Sequence, residues 1–171
     1  MVKLIGALFI MLSSIIFGMV WQEKYDRRLR EIRYISHMLK WMEAEIIFRK
    51  LPLQMICEKI KQEAPPNYQS FFASLQHDLE QSKADLMTIW NENIDRFEKN
   101  WALKKEEKWL LKDIGHTLGK FNRVEQEKQF ALTQLHLAEQ EQEAFLEKQK
   151  VKQLGVRVSL LFGLMFVILL I

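Results

Sequence analysis

Cysteine is almost absent from this 171-residue chain, and its one copy, Cys57, cannot close an internal disulfide. A lone thiol fits a reducing compartment and removes the disulfide-stapled folds from consideration. Glycine and proline are scarce too, at six and three. Sandwiches and barrels need turn residues every few positions, so this composition favours helices. There is no phosphate-cradling Gly-x-x-x-x-Gly-Lys-Ser/Thr loop and no Gly-x-Ser-x-Gly nucleophile turn. The four histidines, His37, His77, His116 and His136, fall in separate helical stretches with no partner at ligand spacing. Neither a metal nor any other cofactor is therefore expected. Cys57 lies on an apolar helical face and reads as a small core residue. A net charge of only +3 gives no field that would draw nucleic acid. These absences point away from an enzyme.

Charge is also missing from both ends. All 22 acidic residues lie between Glu23 and Glu147, and all 25 basic residues but Lys3 lie between Lys24 and Arg157. The mean hydropathy of −0.15 hides this segregation. Residues 4–22 are uncharged and almost wholly apolar, and about 20 such residues in a helix cross a hydrocarbon core. Residues 1–22 are thus expected to form a transmembrane helix, with Trp21 at the headgroup border. A cleaved signal peptide with Lys3 as its basic head is the competing reading. The length of the run and the lack of a small-x-small cleavage pattern near residues 15–24 argue against it.

At the other end residues 158–171 are uncharged, and a helix of that length covers about 21 Å. Taken from Leu154 it covers about 27 Å, with Arg157 able to reach the headgroups along its aliphatic stem. Residues 154–171 are expected to be a second span, with a buried core helix as the alternative. Lys24, Arg27, Arg28, Arg30 and Arg33 follow the first span, and Lys148, Lys150, Lys152 and Arg157 flank the second. Positive-inside counting places the domain between them, residues 23–153, in the cytoplasm, with Arg27, Arg28 and Arg157 as interfacial anchors.

Within that domain Leu29, Ile32, Ile35, Leu39, Met42 and Ile46 recur at helical spacing, continuing the first span without a breaker. Pro52 suits the first turn of a second helix, with Leu53, Ile56, Cys57 and Ile60 as its apolar face. After Pro65-Pro66 comes a third helix carrying Phe71, Phe72, Leu75 and Leu79. Ser82 with Asp85 resembles a capping box for a fourth, with Leu86, Ile89, Trp90, Ile94 and Phe97. A fifth runs from about Leu103 through Leu110, Ile114 and Leu118 to a cap at Gly119. Asn122 with Glu125 opens the last helix, whose seam is read as Ala131, Leu135, Ala138 and Phe145. Lys104, Lys105, Lys108, Lys112, Glu106, Glu107 and Asp113 read as an exposed surface, and Trp101 and Trp109 as core. The fold class expected is all-α, a bundle of about six helices whose long first and last members continue into the two spans.

The order and spacing of several short motifs resemble the stage III sporulation protein AB family over essentially the whole chain. They are the N-terminal apolar run, Glu45-Ile46 followed by Leu51-Pro52-Leu53, and Leu118-Gly119 shortly before Glu125-Gln126. The long Gln/Glu-rich helix and apolar C-terminus complete the pattern. Phe48, Arg49 and Leu51 depart from the family's usual Tyr-Gly and Thr, and Asn122 stands where Asp is usual. The resemblance implies a place in the mother-cell membrane around the forespore, in a channel complex similar to secretion systems. It implies a platform role like that of type II secretion and type IV pilus inner-membrane proteins. The partners implied are an ATPase similar to stage III sporulation protein AA and other membrane proteins of the channel; self-association is left open. Surface positions beside the motifs, Arg49, Lys50, Asn122 and Arg123, are the candidate partner contacts. The alternative is a membrane-tethered adaptor or sensor that binds a soluble regulator through the acidic face from Glu139 to Glu147.

Overall fold

Every regular element among the described residues of the computed structural model is helical. Backbone is described for residues 2–82, 84–120 and 122–170, and side chains for 22–82, 84–118, 122–155, 158 and 165. The helices are α1 (Val2–Ile47), α2 (Leu53–Glu63), α3 (Pro66–Gln81), α4 (Leu86–Phe97), α5 (Lys105–Lys120) and α6 (Arg123–Leu170), with a 3-10 turn at Glu98–Asn100. The order matches the periodicity of the sequence, and the terminal helices run unbroken for 46 and 48 residues. Among the described residues no helix is long and apolar enough to cross a membrane. The spans expected at 1–22 and 154–171 fall mostly on side chains outside the described set, Trp21 and Arg157 among them, and gain no support from it.

The chain divides into two compact units, Met1–Leu29 with Gln142–Ile171, and Arg30–Glu141. In the first, Arg28 is buried and donates from Nη1 to Glu147 Oε2 at 2.6 Å, with Glu143 4.0 Å away. Lys148 Nζ stands 2.7 Å from Asp26 Oδ1. Arg28, expected as an interfacial anchor, is held in an ion pair joining α1 to α6. Counting basic residues along the sequence cannot reveal a carboxylate 119 positions away. Arg27 beside it is exposed.

The second unit holds the main core. Ile32, Ile35, Leu39 and Met42 of α1 are fully buried, as are Ile56 and Cys57 of α2, Phe72 and Leu75 of α3 and Ile94 of α4. Each set sits at the spacing read from the sequence, because helical periodicity puts those side chains on one face. An aromatic cluster fills the centre. Phe71 meets Phe72, Trp90, Phe97 and Trp101 edge to face, and Tyr68 stacks on Trp101 at 5.2 Å. Such geometries follow the ring quadrupole and add to the burial term.

Several expectations are corrected. Asp85, not Ser82, is the N-cap of α4, and Thr88 Oγ1 donates to its carboxylate at 2.5 Å. Ser82 ends α3 and accepts from Ala84 N–H at 3.1 Å. Gly119 lies inside α5, which extends to Lys120. Glu107, read as surface, is fully buried and accepts from the Lys104 N–H, capping α5. Trp109, read as core, is 62% exposed. The largest correction concerns α6. Phe130, Thr133 and Leu137 are its buried positions in this unit, whereas Ala131, Leu135 and Ala138 are exposed. Phe145, in the other unit, is 41% exposed while Ala144 is buried. Two apolar stripes share this helix, and periodicity alone does not say which one meets the core.

Burial at Cys57 has a pH consequence. Desolvation pushes the thiol from an ordinary 9.0 to about 12, against smaller opposing effects from its own backbone hydrogen bond and Lys61. Burial and then Glu63 push Tyr34 from 10.0 to about 12. Both groups keep their protons in the folded chain at pH values where the unfolded chain has lost them. Stability from these groups is therefore complete below pH 9 and is lost as pH rises toward 12. For Cys57 the loss is on the order of 4 kcal/mol at most. Urea unfolding of Cys57→Ala between pH 8 and pH 11 should give a flatter stability profile than the parent; parallel profiles would mean the thiol is not desolvated.

Candidate functional site

Two turns lie together at one end of the larger unit, the α1–α2 turn at residues 48–52 and the α5–α6 turn around residue 122. The guanidinium of Arg123 lies 5.7 Å from the Phe48 ring centroid, which joins the two turns. An exposed cation–π contact of this kind contributes about 0.5–1 kcal/mol.

Each turn is fixed by a residue from the motifs noted in the sequence. Glu45 is buried at the end of α1. Its Oε1 accepts from Arg49 Nη1 at 2.8 Å, and Lys59 of α2 approaches Oε2 at 3.7 Å. Its carbonyl accepts from Leu51 N–H at 3.1 Å, which wraps the chain around the helix end. The wrap needs a left-handed residue, supplied by Lys50 at φ 54°, a conformation that costs a non-glycine residue about 1–2 kcal/mol. Pro52 then ends the turn as the N-cap of α2, one place before the helical position expected for it.

The second turn has a reciprocal capping box. Glu125 N–H donates to Asn122 Oδ1 at 3.0 Å, and Asn122 N–H donates to Glu125 Oε2 at 3.3 Å. Gln126 Nε2 donates to the Thr117 carbonyl at 3.2 Å and ties the start of α6 to α5. Asn122, expected as a partner contact, is exposed and its side chain caps α6. Arg123 Nε donates to Glu127 Oε1 at 3.0 Å. Burial, then Glu127, raises the Glu43 carboxyl above its usual range, with Lys40 pulling the other way, so α1 and α6 also lie close one turn further along.

Arg49, Lys50 and Arg123 therefore share one exposed surface, flanked by Phe48 and Val124, which are 72% and 73% exposed. The aliphatic and aromatic tips had not been assigned a contact role. Their signal in the sequence is that Phe48 falls just past the end of α1 and Val124 outside the buried stripe of α6. The patch combines basic and apolar character without an acid–base pair or a nucleophile. Among the described residues no group of His, Cys, Asp or Glu is placed to hold a metal ion.

The family model described as stage III sporulation protein AB matches residues 3–171. Stage III sporulation protein AB of Bacillus subtilis (strain 168) is 29% identical over 170 residues, covering 99% of each chain. A solved structure of a stage III sporulation protein AB superposes with a TM-score of 0.69 at 27% identity, covering 72% of this chain and 98% of that one. A full-length match to the family model, joined to a shared helical fold, places this chain in the stage III sporulation protein AB family.

Proposed function

We propose that this protein serves sporulation as a non-catalytic platform subunit in the mother-cell membrane around the forespore. Apolar termini root it in lipid and a cytoplasmic helical bundle recruits or couples an ATPase similar to stage III sporulation protein AA. Family membership supports the sporulation role. The uncharged runs at residues 4–22 and 158–171, with basic residues on their inner flanks, support the anchoring and its orientation. The observation that carries the docking reading is the joint exposure of Phe48, Lys50 and Arg123 on two turns held in register by Glu45 and the Asn122–Glu125 box. Rigid turns presenting an aromatic and two cations suit an acidic, partly apolar partner surface.

The double variant Lys50→Glu/Arg123→Glu tests this. Both positions are exposed, and an acid at the start of α6 suits the helix dipole. That offsets part of what Arg123→Glu loses with Phe48 and Glu127, so an unchanged circular dichroism spectrum should show the fold kept. Recovery of the ATPase with the detergent-solubilised protein from sporulating cells should fall at least tenfold, and spore yield with it. Unchanged recovery would exclude this end of the bundle as the docking surface.

A further inference from the structure

We propose that the groove between α1 and α2 takes an arginine of a partner protein, its guanidinium paired with Glu63 and the apolar residue beside it packed on Trp41. Tyr34, His37 and Trp41 recur at three- and four-residue steps, so they share the face of α1 that lines this groove. On the other side α2 presents Lys59, Gln62 and Glu63. Met38 and Ile60, both buried, form the floor. The volume is about 400 Å³, toward the small end of the roughly 300–1,000 Å³ of ligand sites, and suits side chains better than a whole helix. Among the described residues no hydrogen bond or ion pair engages the side chains of Trp41, Gln62 or Glu63. An apolar floor beneath polar groups with unused bonding capacity is the make-up of a binding site.

The two charges of α2 are disposed differently, and this selects a cation. Lys59 Nζ reaches toward the end of α1, 3.7 Å from Glu45 Oε2, and its charge is answered there. Glu63 lies one turn further along α2, exposed and without a cation among the described residues. It is also the last residue of the helix, where the dipole is negative. Its field reaches into the groove, since Glu63 is the charge that joins burial in keeping the Tyr34 hydroxyl protonated. A guanidinium has planar N–H donors for both groups, bidentate to the carboxylate and singly to the Tyr34 oxygen. An acid in the same place would meet Glu63 as a like charge, or would have to compete with Glu45 for Lys59. An apolar neighbour of the arginine then covers the half-buried Trp41 indole. The groove shares no lining residue with the surface of Phe48, Lys50 and Arg123, so arginine capture and ATPase docking stand or fall separately.

Peptide titration of the full chain in a non-ionic detergent tests it, read from the indole N–H signals of the five tryptophans. Trp41→Phe identifies the Trp41 signal. The probe is a capped Ala-Leu-Arg-Leu-Ala peptide, which should shift that signal saturably. Citrulline in place of its arginine keeps the shape without the charge and should weaken binding at least tenfold. Glu63→Gln, at an exposed site, should do the same to the arginine peptide. Lysine in place of the arginine should bind at least threefold more weakly, because it lacks the planar fork. The absence of a saturable shift would overturn the proposal, as would equal binding of the citrulline or lysine peptide, or undiminished binding to Glu63→Gln. A glutamate peptide that binds as tightly as the arginine peptide would overturn it too, by placing recognition at Lys59.

Discussion

Gly115→Ala is expected to destabilise the protein by about 1–3 kcal/mol, although alanine is the better helix former. A Cβ at this position of α5 would lie 2.6 Å from Trp90 Cδ1 and 3.1 Å from Cγ. Helix propensity favours the substitution by about 0.8–1 kcal/mol, so the steric effect must exceed that to decide the sign. It does, because the indole cannot retreat. Its Nε1 donates to the Leu111 carbonyl at 2.7 Å, Phe71 meets it edge to face at 5.8 Å, and the residue is fully buried. Moving the ring would break a buried hydrogen bond and disturb the aromatic cluster. Urea titration should show a lower midpoint with an unchanged slope. Trp90→Phe keeps Cγ and Cδ1 but loses the Nε1 tether to Leu111 and the second ring, so the smaller ring can retreat. The double variant Trp90→Phe/Gly115→Ala should therefore be more stable than the sum of the two single losses, with a coupling of about 1 kcal/mol or more. A Gly115→Ala variant more stable than its parent would show that the two helices are not this close.

The helices were legible because their apolar residues recur with the helical period over long stretches, and because prolines and capping residues punctuate them. The seam of α1 illustrates the first cause. Leu29, Ile32, Ile35, Leu39 and Met42 are all buried, and only the last position slips, from Ile46 to Ile47. The α6 seam was misread for a physical reason. Its outward stripe contains Leu135 and two alanines, and its inward stripe contains Thr133 beside Phe130 and Leu137. By hydropathy the two are close to equal, and only packing against α1 distinguishes them. The same holds for Trp109 and Glu107, where identity suggested core and surface in the wrong order. A glutamate three residues into a helix is buried comfortably when it caps that helix, and a tryptophan can be left outside when Trp90 and Trp101 already fill the centre.

The candidate site was legible in part. The motifs led to the two turns, and the fold brings those turns together, with Arg123 over Phe48. The roles within them were not visible in the sequence. Glu45 and Asn122 build the turns, whereas Arg49, Lys50 and Arg123 present them. A residue's helical face can be read from spacing, but which hydrogen bond it completes depends on where the backbone turns next.

Glu31→Leu is expected to lower stability by about 1.5–3 kcal/mol, the scale of losing hydrogen bonds to a charged acceptor. The sequence offers Glu31 only as one acid among the charges that follow the first apolar run. In the fold it is buried on α1 and accepts from two other parts of the chain. Ala102 N–H, in the segment leading to α5, donates to Oε2 at 2.7 Å, and Asn67 Nδ2, on the first turn of α3, donates to Oε1 at 3.4 Å. Neighbouring rings make the same connection, since Tyr68 packs on Tyr34 of α1 at 4.7 Å and on Trp101. Leucine fills a similar volume but accepts nothing, so the part-buried Ala102 amide loses this partner. Glu31→Gln keeps one acceptor oxygen and should lose no more than about 1 kcal/mol, the net value of a typical hydrogen bond. Amide exchange at Ala102, followed alongside urea unfolding, separates the two effects: Glu31→Leu should speed exchange there well beyond its global destabilisation, while Glu31→Gln should not. Equal losses for leucine and glutamine would assign the effect to the missing charge, and equal exchange would show that this carboxylate does not hold the segment before α5 in place.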